Sequence, residues 1–598
     1  MDRFFLLKPF NHYGDIFLLL GVARLVEDIL RQLGQMGGIR MFDRATHYEL
    51  QLNRPLDLEG VKALTYIHPF YPVRGAKTPW DKMPEESSEI AFNTVTHSER
   101  RKVYREALYH SKGKLGNEES APTPPDPRTQ NGVFLTSQRC DRNHNGLWLA
   151  SWQRQEHYGC LVAAILQALD RPRLLFPTEE IAQTFQQWTG ETLPRPVSSV
   201  KIYLPNAVQG VNRTKADNNK VDSQKTDWLT LWAIASGFFE CALSERVKVA
   251  EGTYDWRVVA ANPKDISLSA YRQVLDRLRR YNPPGGGHGA ARFDCETILK
   301  LCLELLDYHT SRLNQGGGEE FRFLFVPPPE AIGELVGTHF NSKGQVYGVK
   351  ELFAVGLPGW IRPQAPEECS EYRTVIEEHL QVLRGLTAED GHSELLALYR
   401  DFVTGHSVHS FFPFAVHYAD FVVARLANPR TPPPRLFSSD GLNLMVKQDT
   451  AICEIVRDPS FIRIAKAINQ ATVHAGKIRT KDGEIDLDWQ RQYGLAQELS
   501  ARANSKIEFA SAISDFLGKY AHENMRLQEH YLKTGRSLKR VQPTTADLDR
   551  LMELLDTHNA TLVANLLIAY GYARWKSKDE STQGTEDNPD TTDESLDN

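Results

Sequence analysis

Apolar residues recur along this chain at two different spacings, and the two are interleaved through its first two thirds. Phe4–Leu7 and the alternation of Tyr48, Leu50 and Leu52 with polar residues predict strands, while Ile16–Leu33 carries the broad apolar stripe of a helix. Further strands are predicted at Val133–Thr136, Val200–Leu204, Val247–Val249 with Trp256–Ala260, and Phe321–Val326. Helices are predicted at Glu179–Trp188, Trp228–Leu243, Ser269–Tyr281 and Cys295–Arg312. Strand runs and helix runs do not alternate as a doubly wound parallel sheet requires, so the predicted class is α+β. Ser111–Gln130 has Gly, Pro, Ser and charge without periodicity and reads as a mobile surface insertion.

From Tyr372 onward the pattern is almost wholly helical, broken at Thr431–Arg435 by three consecutive prolines, which cannot continue a helix and hold their predecessors extended. That break predicts a boundary near Leu436–Leu444 between a mixed N-terminal domain, 1–435, and a C-terminal bundle of about four helices, 445–576. Asp458-Pro459 reads as an N-cap with Pro at the first helical position. Phe509, Ile513, Phe516, Leu517 and Tyr520 form one helical stripe. Thr544-x-x-Asp547 resembles a capping box that opens a last helix running from Leu548 to Tyr570.

Length supports the division, because 598 residues exceed the roughly 250–300 that a single core organises. The apolar run Ile16–Ala23 is far shorter than the ~20 residues that span a bilayer. With no export signal at the start, the expectation is a cytoplasmic protein without a membrane partner. Seven cysteines without any Cys-x-x-Cys fit reduced core thiols rather than a disulfide scaffold or a zinc knuckle. The net charge of −6 conceals an uneven distribution. The tail 577–598 holds eight acids and one base and is expected to be disordered, whereas Arg457–Arg540 holds fifteen Lys and Arg against ten Asp and Glu. A near-neutral body with a basic C-terminal segment is compatible with local phosphate binding.

No P-loop, dinucleotide-binding Gly-x-Gly-x-x-Gly or Gly-x-Ser-x-Gly elbow occurs, and neither does a His-Asp doublet or a Gly-Gly-Asp-Asp run. His406 and His409, three apart, with His417 and either Asp401 or Asp420, make up one metal-binding alternative, although Pro413 is expected to interrupt a helix there. The glycine-rich stretch Asn282–Gly289 follows Arg277, Arg279 and Arg280 and reads first as a helix terminator, with phosphate approach as the alternative. A denser constellation follows Val200–Leu204. Pro205, Asn206, Gln209, Gly210, Asn212, Arg213, Lys215, Ala216 and Lys220 place cations and amides on one loop, ahead of the aromatic helix that starts at Trp228. Arg pairs bidentately with guanine, Asn and Gln with adenine, and Lys holds phosphate, so the loop suits nucleic-acid reading; a hydrated Asn/Gly connector is its plain alternative.

Pro205-Asn206 through Gly210-x-Asn212-Arg213-x-Lys215-Ala216, the Trp-rich helix after it, and the helical segment from Asp449 to Lys576 together resemble the large subunit of type I CRISPR interference complexes (Cascade), subtype I-B in particular. The order of a large mixed domain, a linker and a helical bundle is similar as well. The resemblance implies a non-catalytic, cofactor-free subunit. Its partners would be crRNA, target DNA, the backbone, 5′-handle-capping and small subunits, and a recruited helicase-nuclease or a transposase-targeting adaptor. It implies that the N-terminal domain docks at the crRNA 5′ end and reads the protospacer-adjacent motif (PAM), while guide pairing supplies sequence specificity. On this basis Gln209, Asn212, Arg213 and Lys215, with Arg139, Arg142 and Asn143 as a second group, are expected to contact the PAM duplex. Arg463, Lys466, Lys477, Arg479, Lys519, Arg526, Lys533 and Arg536 are expected to track displaced single-stranded DNA in support of the R-loop. The bundle would correspond to the small subunit, with Met445 as a candidate internal start. A nuclease centred on His406, His409 and His417, or a protein-only scaffold, are the competing classes.

Overall fold

The computed structural model describes residues 1–35, 38–111, 122–173, 175–207, 224–280, 289–314, 325–343, 346–387, 391–428, 430–474, 477–479, 485–487, 489, 491–533 and 540–576. The fold is α+β. Packing divides the chain into two compact units, one formed by Met1–Ile376 with Thr387–Ser407 and the other by Glu377–Leu386 with the chain from Val408 onward.

Two four-stranded antiparallel sheets lie in the first unit. One runs in the order Arg3–Leu7, His47–Leu52, Ile39–Asp43, Asp265–Ser267, with Leu50 opposite both Phe4 and Met41. The other runs Val346–Gly356, Ile332–Lys343, Thr253–Pro263, Leu243–Ala250. Its middle pair is dense in buried polar groups: Arg257, Thr338 and His339 are all buried among the apolar side chains. Gly337 leaves room for a ring across the ladder, since a Cβ there would meet Phe353 Cζ at 2.2 Å.

Against these sheets the Tyr13–Gln32 helix packs on Trp228–Cys241. The two backbones touch through reciprocal glycines: a Cβ on Gly21 would lie 2.0 Å from the Ala233 carbonyl oxygen, and one on Gly237 2.0 Å from that of Phe17. Each helix starts on a side-chain cap. His12 accepts from the Gly14 amide and Asp227 from the Thr230 amide, meeting donors that the first turn leaves open. Phe17 and Phe238 then meet edge to face at 5.2 Å.

Several expected elements differ. Residues 133–136 belong to a helix, Thr129–Ser137, in which the Thr136 hydroxyl donates to the Val133 carbonyl; the β-branched content suggested a strand, and this local bond suits a helix equally well. Residues 200–204 form turns, with the amides of Tyr203 and Leu204 both bonded to the Val200 carbonyl; Ile202, Tyr203 and Leu204 are buried in succession, as a strand with one exposed face would not allow. Of 321–326 only Phe325 and Val326 are described, and they are not in a strand. The expected insertion 111–130 lies outside the described residues at 112–121, but from Pro125 onward it is packed: Arg128 pairs with Asp126 and Glu240.

The second unit contains the helices Phe411–Ala427, Ser439–Val446, Thr450–Val456, Pro459–Thr472, Leu495–Arg502, Lys506–Lys533, Thr545–Thr557 and Ala560–Gly571. Phe411–Ala427 packs on Ala560–Gly571 and on Leu495–Arg502, so the proline run lies within this unit rather than at its edge, and Met445 is buried inside a helix. Six helices, instead of about four, lie between 450 and 571 among the described residues. Asn559 accepts from the Thr561 amide and starts a new helix, which splits the stripe predicted as one. The Asp458 cap and the Thr544/Asp547 capping box form as expected. None of the seven cysteines forms a disulfide, and six of them are buried. No helix among the described residues is long and apolar enough to cross a membrane.

Candidate nucleic-acid interface

Arg139, Arg142 and Asn143 sit at the corner where the Thr129–Ser137 helix hands over to Asp141–Trp152. The corner is a Schellman turn: the Arg139 amide bonds the Thr136 carbonyl at 3.0 Å and the Cys140 amide bonds that of Leu135 at 2.9 Å. Arg139 fills the left-handed position of this turn, φ 56°, where glycine is favoured and any other residue costs about 1 kcal/mol or more. In the helix that follows, Asp141, His144 and Asn145 fall on one face and are buried, while Arg142 is exposed and Asn143 half-buried.

The buried trio fastens the segment 71–78. Asp141 accepts from the Lys77 amide and the Thr78 hydroxyl, both at 2.9 Å, and a Cβ on Gly75 would collide with its carboxylate. Asn145 accepts from the Val73 amide and donates to the Val73 carbonyl. His144 reaches both ways. A carbonyl only accepts, so Nε2–H donates to Tyr71 at 2.9 Å, and Nδ1 therefore accepts from the Tyr203 hydroxyl at 2.7 Å. Tyr203 belongs to the turn that leads into the loop singled out from the sequence.

That loop leaves from a closed stem. Val197–Ser198 pairs with Lys225–Thr226, the Tyr13 hydroxyl donates to the Ile202 carbonyl at 2.6 Å, and His144 holds Tyr203. Gln209, Asn212, Arg213 and Lys215 lie outside the described residues. What the structure brings together is the stem of their loop and the Arg139–Asn143 corner, on two neighbouring positions of one buried network. The trio on the corner's inner face is not evident from the sequence, where only the outward cations stand out; its signal is the i, i+3, i+4 spacing of Asp141, His144 and Asn145.

Burial holds the two histidines of this network far below their usual range. His144 is pushed down to about 4, and His12 also to about 4, with Asn206 partly opposing the shift. Both are neutral in the fold, and the unfolded chain binds more protons between pH 6.5 and 4. Stability is therefore full above about 6.5 and falls as pH drops toward 4, by up to about 3 kcal/mol for each group. Asp15, pushed up to about 6 by burial, works in the opposite direction over pH 4–6. The unfolding midpoint of the first unit should fall on acidification through this window, and His144→Gln should flatten the dependence; an unchanged slope would show that His144 titrates normally.

The second unit treats its expected strand-tracking cations unequally. Arg463 is paired with Asp547, with Nε 2.7 Å from the carboxylate, and Lys466 lies 4.8 Å over the Trp575 ring, so both hold the unit together. Lys519, Arg526 and Lys533 are exposed seven residues apart on the Lys506–Lys533 helix, hence on one side of it. Lys477 and Arg479 form one strand of a hairpin with Ile485–Leu487, and Arg536 lies outside the described residues.

The three histidines each have surroundings of their own within their units. His406 sits in a bend of the first unit against Gly359, where a Cβ would lie 2.1 Å from the His406 carbonyl oxygen. His409 faces Asp449 at 3.5 Å, and His417 donates to the Pro413 carbonyl at 2.9 Å. Pro413 does not break the helix, because it occupies the first turn of Phe411–Ala427, where an amide would have no partner. Among the described residues no three His, Cys, Asp or Glu side chains converge as a metal site would require. No protein-family model matches the chain, and no curated protein sequence matches it.

Proposed function

We propose that this chain is the non-catalytic large subunit of an RNA-guided type I CRISPR complex, which reads the PAM on duplex DNA, supports the R-loop and recruits a downstream effector. The observation that carries the reading is the fastening of the amide- and cation-rich loop's stem to the helix of the Arg139–Asn143 corner through the Tyr203–His144 bond, with the Tyr13–Ile202 bond tying the same stem to the Tyr13–Gln32 helix. A rigid base under an Arg/Asn/Lys loop is what groove reading requires, since each bidentate side-chain-to-base pair is worth about 1–3 kcal/mol only when it is held in register. The exposed cations of the Lys506–Lys533 helix would supply the sequence-independent strand contact. Coexpression of the tagged chain with its genomic neighbours and a guide RNA tests the assembly: RNA and several subunits should copurify, and recovery of the chain alone would contradict it.

Arg139 offers a sharper test. Arg139→Gly removes the left-handed strain and should leave the fold as stable or up to about 1 kcal/mol more stable, while weakening duplex binding by the complex. Greater stability with unimpaired binding would remove Arg139 from the interface.

A further inference from the structure

The Thr94–His110 helix carries Arg100, Arg101, Lys102 and Arg105 within six residues, a cluster that the proposed function leaves unused. Arg101, Lys102, Arg105 and Glu106, together with Gln130 at the start of the neighbouring helix, line a cavity of about 500 Å³, large enough for one nucleotide unit. The cavity is built rather than incidental. Glu245, buried on Leu243–Ala250, accepts from both Arg101 and Gln130 at 2.7 Å, which orients the two side chains and balances one charge. Lys102 has Glu106 at 3.9 Å.

Arg105 is treated differently. Its half-buried side chain makes no ion pair or hydrogen bond among the described residues and lies beside the like charge of Arg101. Burial and that neighbour lower its pKa, with Glu245 opposing them from a distance, but a guanidinium remains charged. The fold therefore keeps a partly desolvated cation at the cavity wall with no anion bonded to it among the described residues. Nearby arginines each have partners: Arg128 and Arg24 pair with Glu240, and Arg279 donates to two backbone carbonyls. No Phe, Tyr or Trp ring lines the cavity among the described residues and His110 is its one imidazole, so the lining favours phosphate neutralisation over base stacking. Gln130 and Arg139 mark opposite ends of the Thr129–Ser137 helix, ~14 Å apart at 1.5 Å per residue, a span of a few nucleotides.

We propose that this cavity is a second, sequence-independent site that holds the phosphodiester backbone of a single nucleic-acid strand with Arg105, Lys102 and Arg101. It rests on the nucleic-acid reading above and adds to that reading a site away from the loop.

The test is fluorescence anisotropy of the full chain with a short single-stranded RNA and a DNA of the same sequence across a salt series. Lys102→Ala with Arg105→Ala should weaken binding equally for every sequence. It should also flatten the slope of log K against log salt by about 1.4, or about 0.7 for each phosphate that is no longer neutralised. Lys102→Arg with Arg105→Lys, which keeps both charges, should preserve the slope and so separates a missing site from a damaged fold. A stronger effect on the RNA arm assigns the strand as guide, and a stronger effect on the DNA arm as displaced target. Binding with an unchanged slope in the double alanine variant overturns this site while leaving the proposed function standing. A mononucleotide that competes as well as the oligonucleotide overturns the strand assignment. Failure of the wild-type chain to bind either strand, alone and in the complex, overturns both.

Discussion

Asp294→Ala should destabilise the first unit by about 3–5 kcal/mol, the cost of leaving a buried ion pair half-made. Asp294 and Arg257 are each 1% exposed and joined by two bonds of 2.6 and 2.7 Å, and Arg400 reaches the same carboxylate at 2.7 Å. Arg257 also lies 3.7 Å from the centre of the Phe353 ring and faces His339, which in turn bonds Asp255. Removing the carboxylate shared by two guanidiniums leaves buried Arg257 with Glu351 at 3.3 Å as its remaining carboxylate and takes the partner from Arg400, which is 29% exposed. Asp294→Asn keeps the shape and part of the hydrogen bonding and should cost less. The denaturant midpoint of the first-unit transition reads both variants; a shift below about 1 kcal/mol for Asp294→Ala would mean that water already reaches the network.

Gly237→Ala should rank next, at about 3 kcal/mol or more. Overpacking commonly costs 1–3 kcal/mol when side chains can yield, but here the added methyl meets the Phe17 backbone, and Gly21 faces Ala233 in the same way. The two helices must separate, and one of them is Trp228–Cys241, into which the Lys225–Thr226 strand of the loop's stem leads. Gly237→Ala should therefore lower the thermal midpoint and loosen the stem, seen as faster amide exchange at Ser199, whose amide bonds the Gln224 carbonyl. Gly190→Ala, at a C-cap with φ 76° and open space, supplies a milder comparison at a position strained only by its backbone.

The sequence was informative where one periodicity dominated. Tyr13–Gln32, Trp228–Cys241 and Leu268–Arg280 are long and periodic, and the Asp458 and Thr544 caps are local chemistry, so all of them were legible. Ile332–Lys343 was not, because its buried positions include Thr338 and His339, polar residues that erase the alternation of apolar and polar positions that marks a strand. Residues 200–204 look like a strand in composition yet turn, since tertiary burial on several sides overrides β propensity. The outward cations of the 139–143 corner were visible as residue types. Their placement beside the stem was not, because it depends on His144 and Tyr203, 59 residues apart. The four bases at 100–105 on Thr94–His110 drew no reading from the sequence, because their meaning depends on Glu245 satisfying Arg101 and not Arg105, which only the fold determines.

The central claim is tested most directly by binding of the purified guide-RNA complex to matched duplexes that carry a randomised flank, compared between wild type and a variant with Arg142→Ala and Arg213→Ala. The account predicts that wild type enriches particular flanks and that the variant loses the enrichment while guide-dependent pairing to unwound target persists. Equal recovery of every flank by the wild-type complex would contradict it.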